Sequence, residues 1–151
     1  MNTISTPLIS CRQTLVEQGS DLLAAQDKAV ALFEAVIEQG LIRPGETEQS
    51  VSDTIRDLAQ ARFGVTKFWH KRIVRAGENT VHPYRENPQN RVITDNDIVF
   101  LDFGPVFDNW EADYGRTYVV GDDPRLLQLK TVQQALADDN ATWENMVILH
   151  L

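Results

Sequence analysis

Residues 97–121, DIVFLDFGPVFDNWEADYGRTYVVG, read as paired strands, and they hold two carboxylates inside apolar sequence: Asp102 between Leu101 and Phe103, and Asp113 eleven residues later. Burying one unpaired carboxylate costs several kcal/mol, and two side by side also repel, so the pair calls for a cation or for donors that compensate. Side chains alternate along a strand. In an antiparallel hairpin of residues 98–103 and 112–120, turning near VFDN, any even-length loop without a bulge therefore puts both aspartates on one face. Carboxylates on rigid strands suit a hard divalent cation and are the usual nucleus of a one- or two-metal hydrolytic site, although two ligands alone are too few. The plainer alternative has Asp102 capping a turn and Asp113 pairing with Arg116.

The other acids of this region have an ordinary reading. Asp95, Asp97, Asp108, Glu111, Asp122 and Asp123 fall in or beside turn-type strings such as TDND and GDDP, which use short polar side chains as turn and cap acceptors. With a net charge of −8 and Arg116 as the single base between residues 95 and 123, the segment repels nucleic-acid phosphate, so no nucleic-acid partner is expected. No apolar run reaches the length of a membrane span, and no membrane partner is expected either. The start, MNTISTPLISCRQTL, carries neither a basic leader nor a long apolar stretch with a cleavage site, which makes the cytoplasm the expected location. Cys11 is the only cysteine, so a metal would need oxygen or histidine ligands.

Hydrophobic spacing divides the chain into helices followed by strands. SDLLAAQDKAVALFEAVIEQG has a helical apolar period, with Ser20 as candidate N-cap and Gly40 as terminator. Thr47 is placed to cap a second helix, with Val51, Ile55, Leu58, Ala59 and Arg62 on one face and Gly64 at its end. From Phe68 the period changes to two: KFWHKRIV reads as a strand, AGENT and PYRENPQN as loops, and DIVFLDFG and YGRTYVV as strands. Asp123 and Pro124 open a third helix. The expectation is an N-terminal segment over 1–19 and one α+β domain over 20–151, with helices packed on an antiparallel-rich sheet. WENMVILHL ends on apolar residues without cap or polar tail, as a chain cut short would.

The strings IRPGETEQSVSDTIRDLAQARFG, GENTVHPYRENP and DNDIVFLDFGPVFDNWEADYGRTYVVGDDP resemble, in order and approximate spacing, the pita-bread metallopeptidases, a family that includes methionine aminopeptidase, Xaa-Pro aminopeptidase, prolidase and creatinase. The most specific element is the Asp-x-Gly and Asp-x-x-Arg-Thr pair, and the Xaa-Pro aminopeptidase and dipeptidase branch is the most similar. The resemblance implies one αβ half of the pita-bread fold, a peptide substrate and a divalent metal ion, Mn²⁺, Co²⁺ or Zn²⁺. It implies that Asp102 holds one metal through both oxygens and that Asp113 bridges two, with the water or hydroxide between them attacking the peptide carbonyl.

Three departures from the family qualify that expectation. Gly115 stands where the family usually has Ser or Thr. The family's substrate-side histidine, which donates to the developing oxyanion, falls eighteen residues before the first metal aspartate; here that position is Tyr84, while His82 lies twenty before Asp102, so the aligned residue stays open and His82 is the candidate catalytic residue. The family completes its metal site with a histidine and two glutamates farther along than the 38 residues that follow Asp113 here, and His150 comes too early to be that ligand. The expectation is a truncated, inactive or nearly inactive exopeptidase domain with weak metal binding. A non-catalytic peptide- or protein-binding module of the same fold is the alternative, and self-association through an uncovered sheet face is a third expectation.

Overall fold

The computed structural model describes residues 8–139 and 147–150. Expectations about the first seven residues and about 140–146 and 151 lie outside the described residues. Two helices, α1 (Leu8–Glu38) and α2 (Glu48–Phe63), precede the strands β1 (Ile73–Ala76), β2 (Asp97–Phe103), β3 (Val106–Phe107) and β4 (Trp110–Val120), followed by α3 (Pro124–Asp139) and β5 (Val147–His150). The sheet runs β1-β2-β4-β3, with β5 also pairing with β4, and every pairing is antiparallel. No helix among the described residues is long and apolar enough to cross a membrane.

Both caps expected of α2 are present. The Thr47 side chain accepts from the Ser50 amide at 3.0 Å, and Gly64 ends the helix at φ 68°, a left-handed conformation that costs a glycine little. The start of α1 differs from expectation. Its helix begins at Leu8, so Ser20 lies inside it rather than capping it. The string KFWHKRIV also differs: only Ile73 and its successors join the sheet as β1, while Phe68 makes an isolated bridge to Pro105 and residues 69–70 bend. AGENT, expected as a loop, contributes Ala76 to β1 and then winds into a 3₁₀ turn, Gly77–Val81.

The helices cover one face of the sheet. From α1, Ala25, Ala29, Leu32, Phe33 and Val36 are buried, and from α2, Val51, Ile55 and Ala59, against Val74, Ala76, Val99, Leu101, Phe103, Ala112 and Tyr114 of the strands. Phe33 meets Phe103 and Tyr114 edge-on, with ring centroids 6.0 and 4.6 Å away. Each such side chain, fully buried, stabilises the fold by about 1.5–3 kcal/mol. Strand alternation sends the intervening residues, Ile73, Arg75, Phe100, Asp102, Asp113, Gly115, Thr117 and Val119, to the opposite face. The result is an α+β layer of helices on an antiparallel sheet.

Candidate metal centre

The register that aligns Phe103 with Tyr114 continues unbroken to Val106 opposite Glu111 and Phe107 opposite Trp110. β2 and β3 are therefore one strand bent at Gly104 and Pro105, and the chain reverses through Asp108 and Asn109, both at positive φ (50° and 76°) as a two-residue hairpin turn demands. The loop is even and carries no bulge, so Asp102, which faces Gly115 across the ladder, shares its face with Asp113 two residues along β4. Arg116 leaves β4 on the opposite face, its guanidinium 4.0 Å over the Tyr114 ring and its Nη1 donating to the Gly115 carbonyl at 2.8 Å.

A third residue stands with the aspartates. His70 places Nε2 3.7 Å from Asp102 Oδ1 and 3.6 Å from Asp113 Oδ1, and one ligand atom from each of the three lies within 4.8 Å of the others. The His70 side chain is only 8% exposed, against 25% for Asp102 and 35% for Asp113. Its other nitrogen, Nδ1, lies 2.7 Å from the Lys71 carbonyl, which only accepts, so Nδ1 carries the proton and Nε2 faces the carboxylates. Burial by itself lowers the His70 pKa, but Asp113, the Lys71 carbonyl and the charge on Asp102 outweigh it and raise it. Burial raises the Asp102 pKa; His70 pulls it back, and the nearby Asp113 pushes it further up. Two carboxylates and an imidazole nitrogen, converging on one point, form a donor set that fits a divalent cation.

Local sequence explains how position 70 reaches this point. The Trp69 amide donates to the Gly104 carbonyl at 2.9 Å and its indole Nε1 donates to the Ala112 carbonyl at 2.8 Å, which lays residues 68–70 across the hairpin. Gly104 leaves the necessary space: a Cβ there would sit 2.5 Å from Trp69 Nε1 and 2.7 Å from His70 Nε2. The glycine of Asp-x-Gly thus has a steric reason at this site.

The residues named from sequence fall in two places. Asp102 and Asp113 converge; His82 stands on the loop after the 3₁₀ turn, with Nδ1 2.6 Å from Glu86 Oε2. Tyr84 comes closer to the cluster, its ring edge-on to His70 at 6.1 Å and its hydroxyl accepting from the Lys71 amide at 3.3 Å. Sequence reasoning missed His70, which lies 32 residues before Asp102 with no spacing rule to join them. The available signal was Gly104, a glycine in a strand that marks close approach of another segment.

Comparison with known proteins identifies the family and the fold. A family model described as Metallopeptidase family M24 matches residues 20–144. The Xaa-Pro dipeptidase of Lactobacillus delbrueckii subsp. lactis is 28% identical over 102 residues, covering 64% of this chain and 27% of that protein. The structure of a dipeptidase from Pyrococcus horikoshii OT3 superposes with a TM-score of 0.62 at 29% identity, covering 82% of this chain and 35% of its own. A Xaa-Pro dipeptidase from Bacillus anthracis gives 0.58 at 29% identity, covering 68% of this chain and 28% of its own. This chain therefore spans about a third of the length of the relatives it matches, and its α+β layer is one αβ half of their pita-bread fold. The chain belongs to metallopeptidase family M24.

Proposed function

We propose that residues 20–151 are the aspartate-bearing part of a metal-dependent exopeptidase that acts on the N-terminal bond of Xaa-Pro peptides, and that this span alone does not complete the reaction. The observation that carries the reading is the convergence of the Asp102 and Asp113 carboxylates on one sheet face, within the two motifs by which the chain resembles its family. Support for the substrate class comes from two of the relatives named above, those of Lactobacillus delbrueckii and Bacillus anthracis, which are Xaa-Pro dipeptidases.

In this reading Asp102 and Asp113 hold the divalent cation, Mn²⁺, Co²⁺ or Zn²⁺. Once bound, it supplies Lewis-acid polarisation of the scissile carbonyl and lowers the pKa of water. The strands keep the two carboxylates rigid. His82 is the proposed substrate-side donor: Glu86 takes its Nδ1, which leaves Nε2 as the atom to serve a peptide oxygen. Arg75, buried on the same face, donates to the carbonyls of Pro83 at 3.1 Å and Glu86 at 2.9 Å and also bonds that of His82, which holds the His82 loop beside the sheet. A cytoplasmic location belongs to the same proposal, and the single cysteine, which allows no disulfide within the chain, is consistent with it.

The test compares the 151-residue chain with a fusion that continues it through the histidine- and glutamate-bearing segment of a relative, both with added Mn²⁺ and a Xaa-Pro dipeptide or tripeptide. No turnover by the short chain and turnover by the fusion that Asp102→Asn abolishes is the expected result. Turnover by the short chain refutes its incompleteness, and silence from a folded, metal-loaded fusion favours a non-catalytic peptide-binding module.

A further inference from the structure

We infer that His70 is a third protein ligand of this metal site, coordinating through Nε2, so that the span described here holds a His/Asp/Asp set of its own with a preference for late divalent transition ions. The inference rests on the reading of Asp102 and Asp113 as metal ligands and extends it to a residue that the family motifs do not include.

Four observations carry it. The imidazole is nine-tenths buried and is aimed at the two carboxylates rather than at solvent. Its Nδ1 is held by the Lys71 carbonyl at 2.7 Å, the outer contact that orients a metal-binding histidine and presents the Nε2 lone pair. Nitrogen and oxygen donors about 2.1 Å from a shared ion stand about 3.4 Å apart at tetrahedral angles. The observed 3.6 and 3.7 Å are within small side-chain rotations of that separation. Finally, the ring has little freedom to leave: Trp69 is tied to Gly104 and Ala112 by hydrogen bonds, its ring packs edge-on against His70 at 4.5 Å, and Tyr84 bounds the far side.

The consequence is chemical selectivity. Two carboxylates alone suit Mg²⁺ and Mn²⁺ about as well as softer ions, whereas adding an imidazole shifts affinity toward Co²⁺ and Zn²⁺. The competing reading makes His70 a charge partner that neutralises the aspartates and never touches an ion.

Co²⁺ titration separates the two. Calorimetry and visible absorption of the 151-residue chain should show one Co²⁺ bound, undisturbed by excess Mg²⁺, with affinity at least ~10-fold weaker in His70→Gln and His70→Ala, since even outer partners of a ligand are worth ~10–100-fold. Proton NMR of the Co²⁺-loaded chain should show a strongly shifted exchangeable resonance from the His70 Nδ1–H, lost in D₂O and absent from His70→Gln. His70→Gln supplies the assignment, and matching circular-dichroism spectra and urea midpoints of the unloaded chains keep a folding defect from standing in for a lost ligand. Co²⁺ binding that Asp102→Asn abolishes, with no shifted imidazole proton and unchanged affinity in His70→Gln, overturns the role of His70 and leaves the aspartate reading standing. Absence of binding, or binding indifferent to Asp102→Asn, overturns both.

Discussion

At the scale of single residues, the two glycines nearest the aspartates behave differently. Gly104 admits no Cβ, because the Trp69 indole and His70 imidazole occupy that space, while a Cβ on Gly115 would meet the Leu101 carbonyl and the Phe100 ring at 3.5 Å, an ordinary contact. Gly104→Ala should therefore displace the 69–70 segment, at a cost of about 1–3 kcal/mol from overpacking, and weaken Co²⁺ binding as much as His70→Ala does. Gly115→Ala should change stability by less than about 0.5 kcal/mol and leave Co²⁺ affinity intact. Urea unfolding and calorimetric titration of the two variants check this; equal effects would show that the Gly104 space is not what seats His70. The departure from the family at position 115 then has little structural weight, because the open contact accepts a small side chain without rearrangement.

Among the elements, one tie is a buried carboxylate outside the His70/Asp102/Asp113 group. Glu48, in the first turn of α2 and 6% exposed, accepts from the Ala76 amide at 2.6 Å, from Asn79 Nδ2 at 3.0 and 2.9 Å with its two oxygens, and from the Arg91 amide at 3.2 Å. One side chain thus joins α2, the end of β1, the 3₁₀ turn and the loop that leads to β2. Glu48→Ala strands these donors in the interior and should cost about 3 kcal/mol or more, with Glu48→Gln losing less because one oxygen survives. Denaturant midpoints in the order wild type, Gln, Ala are expected, and equal midpoints for wild type and Ala would show the network to be dispensable. This clasp was not legible in the sequence, where Glu48 is simply an acid in a first helical turn. What was legible had local causes: the Thr47 cap, the Gly64 terminator, the apolar period of α1 and α2, and the parity that puts Asp102 and Asp113 together. The errors have different causes. Ser20 resembles a cap but is an exposed residue inside a helix that begins at Leu8, whereas KFWHKRIV alternates like a strand but spends residues 68–70 crossing the hairpin, where tertiary contacts override the local pattern. His70 is hidden in that crossing.

For the whole molecule, the two faces of the sheet are unequal. α1 and α2 cover one face completely enough that Val99, Leu101 and Phe103 are essentially inaccessible. On the other face, the 3₁₀ turn and the loop held by Arg75 lie beside β1, while Phe100, Thr117 and Val119 stay partly exposed on the face that carries Asp102 and Asp113. Phe100 and Val119 form a partly exposed apolar strip on this face, and burying it against a second surface releases water from both. Alone in solution, the 151-residue chain is expected to associate through this face. Sedimentation velocity should show the weight-average size rising with protein concentration, and Val119→Lys, which places a charge at the strip without touching the helix-packed core, should return the chain to monomer. A wild-type chain that stays monomeric up to its solubility limit would refute the association. Association that Val119→Lys leaves unchanged would move it elsewhere, the exposed Leu127, Leu129 and Val132 of α3 being the next surface to substitute. Co²⁺ loading adds a second reading of the same experiment. The cluster lies on the face that two copies would share, so association that occludes Asp102 and Asp113 must weaken metal binding as concentration rises, whereas association through α3 leaves it unchanged.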